Sequence, residues 1–259
     1  MYNSRFLECL DADFLRLRDV VDGHLAAQVP TCPDWTVADL TRHVGEVYLH
    51  KVEMMRQGKH PEGWPPASFK EAEPVGLLTR GYGELVAEFA ARNPAEPAKT
   101  WYDPNQTVGF WIRRMAQETV IHRIDAELGA GTPVAPIPDD LAIDGIDELL
   151  NTFVAYGFSK YPEDFAEPLK NSPGRTYVIN ASETSWTITT SPNELKVTGG
   201  PGTAFTIPDS PDVVVSGSPS NILRWAWNRE TPNTPTPVTI KGTPEALTEL
   251  HQCVVAATQ

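Results

Sequence analysis

The sequence predicts an α+β protein, with a four-helix bundle over residues 1–158 followed by a small α+β domain over residues 159–259. Three observations predict it. Apolar residues recur at helical spacing through four long segments of the first half; β-forming residues cluster in five short runs of the second half; and turn-forming Gly, Pro and Asn residues punctuate both. A chain of 259 residues is long enough to bury two modest cores.

The first helix is expected over residues 3–25, where Phe6, Leu7, Leu10, Phe14, Leu15, Leu17, Val20 and Val21 repeat at helical spacing before the loop QVPTCPDW. A second should start at Thr36, near Asp34, and run to about Arg56. PVGLLTRGYGELVAEFAAR (74–92) reads as the third. After the turn YDPNQT, Val108–Leu128 reads as the fourth, stopped by Gly129 and Gly131. Four helices of this length suit a bundle. Beyond the proline-containing loop GAGTPVAPIPDD, LAIDGIDELLNTFVAYGF (141–158) gives one more amphipathic helix. TYVINA, SWTITT, LKVTGG, DVVVSG and VTIKG then read as strands, interrupted by helices over Pro219–Trp227 and from Pro244 to about Ala256.

Composition removes several classes of function. A formal net charge of -13 is wrong for nucleic acid, which needs a basic face to release counterions, and for an anionic membrane surface. No apolar run approaches the length that spans a bilayer, and Glu8, Asp11 and Asp13 stand where a secretory leader would need a basic start and an apolar core. The three cysteines, Cys9, Cys32 and Cys253, form no Cys-x-x-Cys pair, so free thiols in the cytoplasm are expected.

The chemistry-bearing residues lie on the second and fourth helices. With Trp111 as the zero of a helical wheel, Met115, Glu118 and His122 fall within about 40° of it. A carboxylate and an imidazole therefore sit inside an apolar stripe, where each needs a partner: the other, an arginine or a metal. His43 lies on the inward stripe of the second helix with Leu40, Val47 and Met54. His50 shares that face two turns on, and the pattern alone does not choose between the two histidines. Side chains from facing helices are how bundles build internal metal sites, although a Glu-x-x-x-His pair is also an ordinary helix pairing.

Two stretches carry a family resemblance. VPTCPDWTVADLTRHVG (29–45) and GFWIRRMAQETVIHRIDAELGAG (109–131) resemble the signatures of the mycothiol-dependent maleylpyruvate isomerase family, whose first domain is a DinB-like four-helix bundle. VSGSPSNILRWAWNRE (215–230) is similar, more loosely, to part of that family's sterol-carrier-protein-like second domain. The resemblance implies a metal triad of His43, Glu118 and His122, choosing His43 over His50. Two imidazoles and a carboxylate suit a divalent ion, zinc first with nickel or iron as alternatives, and leave a coordination position open. It also implies mycothiol as cofactor, activated as thiolate for addition to a small electrophile or unsaturated acid, in an isomerase or a thiol transferase.

Lesser assignments complete the reading. Asp125 is a candidate to orient an imidazole beside the metal, with a pair to Arg123 as its alternative. Arg229 aligns with a family arginine and is the candidate to hold a substrate carboxylate through its fork, or else a surface arginine. Gln117 replaces a family histidine and lies off the Glu118 and His122 face. Trp225 and Trp227, two residues apart on a helix, cannot share one face. A binding protein without turnover and a hydrolase using bound water remain the alternatives in function. A monomer or weak dimer is expected.

Overall fold

The structure, a computed structural model, describes residues 1–204, 206–231 and 233–258. It divides into two compact units, Met1–Ala135 and Pro136–Gln259.

Four long helices make the first unit: α1 (Asn3–Val21), α2 (Val37–Gln57), α3 (Pro74–Ala90) and α4 (Val108–Ala130). Three of them begin at a side chain that takes up otherwise orphaned amides. Thr36 and Asp39 form a capping box at α2, Glu73 accepts from the amides of Val75 and Gly76 at α3, and Thr107 accepts from the Phe110 amide at α4. Gly58 and Gly131 end α2 and α4 in the left-handed region, with φ of 66° and 67°. The first helix, expected to reach residue 25, ends at Val21, because the chain leaves helical geometry at Asp22 and turns through Gly23 at φ 78°.

The helix α4 is the centre of this unit and buries nearly every side chain between Val108 and Leu128. Its charged residues are therefore matched inside the fold. Arg123 donates from Nε to Asp13 Oδ1 (2.9 Å) and from Nη1 to Glu127 Oε2 (2.7 Å), and Arg16 reaches Glu127 Oε1 from the rim (2.9 Å). This network ties α1 to α4. Burial outweighs the Arg123 cation at Asp13 and pushes its carboxyl up to about 6. The helices α2 and α3 cross backbone to backbone: a Cβ on Gly45 would lie 2.8 Å from the Leu78 nitrogen, and one on Gly81 2.7 Å from the Gly45 carbonyl oxygen. Between α2 and α4 a buried hydrogen bond joins the Tyr48 hydroxyl to Thr119 Oγ1 at 2.5 Å.

The second unit opens with α5 (Asp139–Asp147), which runs without a break into a π-helical stretch, Glu148–Ala155, and then α6 (Tyr156–Lys160). One helix was expected over 141–158; its wider π turns shift the side-chain register partway along. The expected domain boundary at residue 158 falls after this segment. The contacts of the segment explain why it sits with the second unit: α5 packs on α8 (Pro219–Ala226), and the π stretch on α9 (Pro244–Thr258) and β3 (Glu194–Gly199). A 3₁₀ turn at Pro162–Phe165 and α7 (Ala166–Leu169) were not foreseen, being too short to show a period.

A five-stranded sheet follows in the order β3-β2-β1-β4-β5, with β1 at Arg175–Ala181, β2 at Thr184–Ser191, β4 at Val213–Gly217 and β5 at Thr239–Gly242. The central pair β1 and β4 is parallel and the other pairs are antiparallel. Each expected strand is present within two residues of its bounds. Trp225 is buried and packs on the His251 ring at 5.1 Å, while Trp227 lies half-buried with its edge on Phe153 at 5.6 Å. Under the sheet, Glu249 Oε1 accepts from Ser172 Oγ (2.9 Å), Tyr177 OH (2.8 Å) and Thr190 Oγ1 (2.7 Å), and Arg175 Nε lies 3.1 Å from Oε2. No helix among the described residues is long and apolar enough to cross a membrane.

Candidate metal centre

The helix α2 runs antiparallel to α4, so that His43 meets Glu118 and His122 while Lys51, two turns on, meets Trp111. His43 Nε2 lies 3.5 Å from Glu118 Oε1, and His122 Nε2 lies 3.2 Å from the same oxygen. One ligand atom from each of the three residues falls within 4.8 Å of the others. The two imidazole rings stand edge to face, 5.1 Å apart. The side chain of His43 is 35% exposed, against 16% for Glu118 and 11% for His122, so the group is reached from the His43 side.

The neighbours of this group fix which atoms face inward. His122 Nδ1 lies 3.1 Å from Asp125 Oδ2. Because a carboxylate only accepts, Nδ1 carries the proton and Nε2 is left to face Glu118. Asp125 is held in turn by the Thr31 hydroxyl, which donates to Oδ1 at 2.6 Å. Arg114, one turn before Glu118, donates to Glu118 Oε2, leaving Oε1 toward the imidazoles. Arg123, the alternative partner for Asp125, is turned the other way, to Asp13 and Glu127.

The loop before α2 covers the group. It closes on itself through the Val29 amide to the Trp35 carbonyl (2.9 Å) and the Trp35 amide to the Cys32 carbonyl (2.8 Å), with the Gln28 side chain donating to the Pro33 and Trp35 carbonyls. Thus fixed, the Trp35 ring lies 4.8 Å from the His43 ring and 6.4 Å from that of His122.

Charge in the site is strongly coupled. Burial alone would raise the Glu118 carboxyl, but the charges of His122 and Arg114 hold it well below the ordinary carboxylate range. Burial alone would lower His122, but Glu118 and the bond to Asp125 lift it to about 9. The protein on its own thus keeps an imidazolium against a carboxylate where a metal would sit. The donor set fits a divalent ion: an oxygen and two nitrogens converge, with the far nitrogen of one imidazole anchored by a carboxylate, as metal-binding histidines usually are.

Other residues from the sequence reading stand elsewhere. His50 points away from the group, its ring 5.9 Å from His60 and 5.3 Å from Trp64, and its Nδ1 3.1 Å from Lys51 Nζ. Gln117 is buried on α4 outside the triad. Arg229, in the second unit, donates from Nη1 to the Trp227 carbonyl at 2.7 Å and lies over the Trp227 ring. Cys9, Cys32 and Cys253 are all thiols. Thr31, Trp35 and Arg114 were not singled out as parts of the site. Of these only Arg114 carried a readable signal, its i, i+4 spacing to Glu118.

Comparison with known proteins bears on both units. Residues 7–127 match the model of the mycothiol maleylpyruvate isomerase N-terminal domain, and residues 140–249 match the C-terminal domain model of the same family. A crystal structure of the mycothiol-dependent maleylpyruvate isomerase shares the fold at a TM-score of 0.59 and 18% identity, covering 95% of this chain and 96% of that one. A histidine-to-alanine mutant of that isomerase matches at a TM-score of 0.58 and 18% identity with the same coverage. Among curated proteins none matches the chain in sequence.

Proposed function

The chain belongs to the mycothiol maleylpyruvate isomerase family, and on that premise we propose that it is a metal- and mycothiol-dependent enzyme acting on a small unsaturated acid or related electrophile, as isomerase or thiol transferase. The observation that carries this reading is the convergence of His43 Nε2, Glu118 Oε1 and His122 Nε2, with the opposite nitrogen of His122 on Asp125. A divalent ion held there, zinc first, would draw down the pKa of a thiol and keep it as the nucleophilic thiolate.

The protein's own groups prepare that chemistry. Asp125 and Thr31 hold the His122 ring, Arg114 pins one oxygen of Glu118, and Trp35 screens one side of the group from water. In an isomerisation, the thiolate adds to the cis double bond and leaves a single bond that can rotate. Its expulsion restores the double bond as trans and returns the thiol unchanged. In a transfer the adduct is the product. Arg229, on the family motif of the second unit, is the proposed carboxylate-binding arginine, and thiols at all three cysteines suit the cytoplasm.

The test is metal content together with thiol dependence. Purified protein is expected to hold a divalent ion in a one-to-one ratio, to lose it in His122→Ala, and to turn over maleylpyruvate only with mycothiol present. Absence of the ion, or full metal in His122→Ala, overturns the reading. Turnover without thiol would make the protein a hydrolase, and thiol uptake without adduct or isomer a binder.

A further inference from the structure

Lys51 sits on α2 eight residues after His43, so their backbones are roughly 12 Å apart along the helix. It lies on the seam between α2 and α4. Its ammonium stands 5.1 Å from the centre of the Trp111 ring, and Trp111 shares with Glu118 and His122 the face of α4 that is turned to α2. Its Nζ donates to His50 Nδ1 at 3.1 Å. Burial, with the Lys51 ammonium beside it, pushes His50 down to about 4, so the acceptor is a neutral imidazole.

Among the described residues no carboxylate lies within ion-pair distance of this ammonium, in a chain with 34 acidic residues. Glu118, whose charge it feels, is already engaged by Arg114, His43 and His122. Burial pushes the Lys51 amine down to about 8, and Arg114 adds to that while Glu118 opposes it. A half-buried cation with one neutral acceptor and an aromatic face has donors to spare, and an anion is what would use them.

We propose that Lys51 anchors a carboxylate of the substrate, so that an unsaturated acid lies along the α2–α4 seam with its double bond toward the His43, Glu118 and His122 end. The proposal deepens the reading of the chain as a thiol-using enzyme and rests on it for the identity of the ligand. Lys51 would then set specificity for acids over uncharged electrophiles, as a positioning residue outside the chemistry at the triad.

The probe is maleate, a cis dicarboxylate, with its uncharged diamide as control. Calorimetry without thiol should show maleate binding weakened at least tenfold in Lys51→Met and within threefold of the parent in Lys51→Arg, with the diamide unaffected by either. In the unaltered protein, NMR of the Lys51 side chain should show its amine titrating at higher pH once maleate is bound. Equal maleate affinity in parent and Lys51→Met, or no movement of Lys51 in the unaltered protein, overturns the proposal. The second measurement decides if Lys51→Met does not fold. The two readings fail separately: missing metal or thiol dependence sinks the enzyme reading whatever Lys51 does, and metal-loaded, thiol-dependent turnover with an indifferent Lys51 sinks only the anchor.

Discussion

Two carboxylates set within the fold, one in each unit, meet opposite surroundings. Glu249 is enclosed by three hydroxyls and the Arg175 guanidinium, all of them donors at any ordinary pH. Glu118 has an arginine on one oxygen and two imidazoles on the other. An imidazole nitrogen can give up its proton and present a lone pair instead. The surroundings of Glu249 serve only to satisfy it, whereas those of Glu118 can be converted from hydrogen-bond donors to metal ligands. Burial and charge make the two look alike, and the chemistry of the neighbours separates a structural carboxylate from a candidate ligand.

The widest separation should come from the matched pair Glu249→Gln and Glu118→Gln. Replacing Glu249 leaves three hydroxyls and a guanidinium sharing a neutral amide, at a cost of about 3 kcal/mol. Denaturant titration should show this loss with metal content unchanged. Glu118→Gln should also destabilise, since it leaves Arg114 and His122 without their carboxylate, but it alone should lower metal affinity, by at least a hundredfold. If both variants lose stability alike and both keep their metal, the distinction collapses.

A smaller effect sharpens the comparison from inside the site. Asp125→Asn removes the charge that holds the His122 tautomer, and metal affinity should fall by roughly 10- to 100-fold in a competition titration with a chelator. An unchanged affinity would mean that His122 needs no orienting partner.

The smallest effect lies beside the site, at a histidine that the triad does not use. The folded pKa of His50 is pushed down to about 4 by burial and by the neighbouring Lys51 ammonium, below its unfolded value near 6.5. The unfolded chain therefore binds a proton first as pH falls. The contribution of neutral His50 is fully present above pH 6.5 and is lost as pH drops toward 4. Because the ring is partly exposed, about 1 kcal/mol or less is at stake. His50→Gln should flatten the stability–pH curve over that window, and an unaltered slope would show that the ring is not held neutral.

The parts legible in sequence are those governed by local period. Apolar spacing marked all four bundle helices, and the wheel placed Glu118 and His122 on one inward face, because both depend on residues within a turn or two. The same wheel put His43 and His50 on one stripe and could not separate them. What separates them is long-range: His50 is drawn to His60 and Trp64, on a loop whose path no helical period encodes. Thr31 and Trp35 reach the site only because the Gln28–Trp35 loop closes on itself. The register change along 148–155 is likewise invisible to a fixed 3.6-residue wheel.

The hydrogen bond between Tyr48 and Thr119 has a consequence for the thermodynamics of loading. Tyr48 lies five residues after His43, and Thr119 directly follows Glu118, so this one bond clamps the two helices beside the ligands they carry. The separation between His43 and Glu118 is therefore set by the folding of the bundle itself. The conformational entropy of bringing these three side chains together is spent in forming the bundle, so a divalent ion bound there would meet a gap whose width the fold has already set. A gap set in this way would favour ions by radius as well as by affinity, and its width would be governed by a hydroxyl outside the triad.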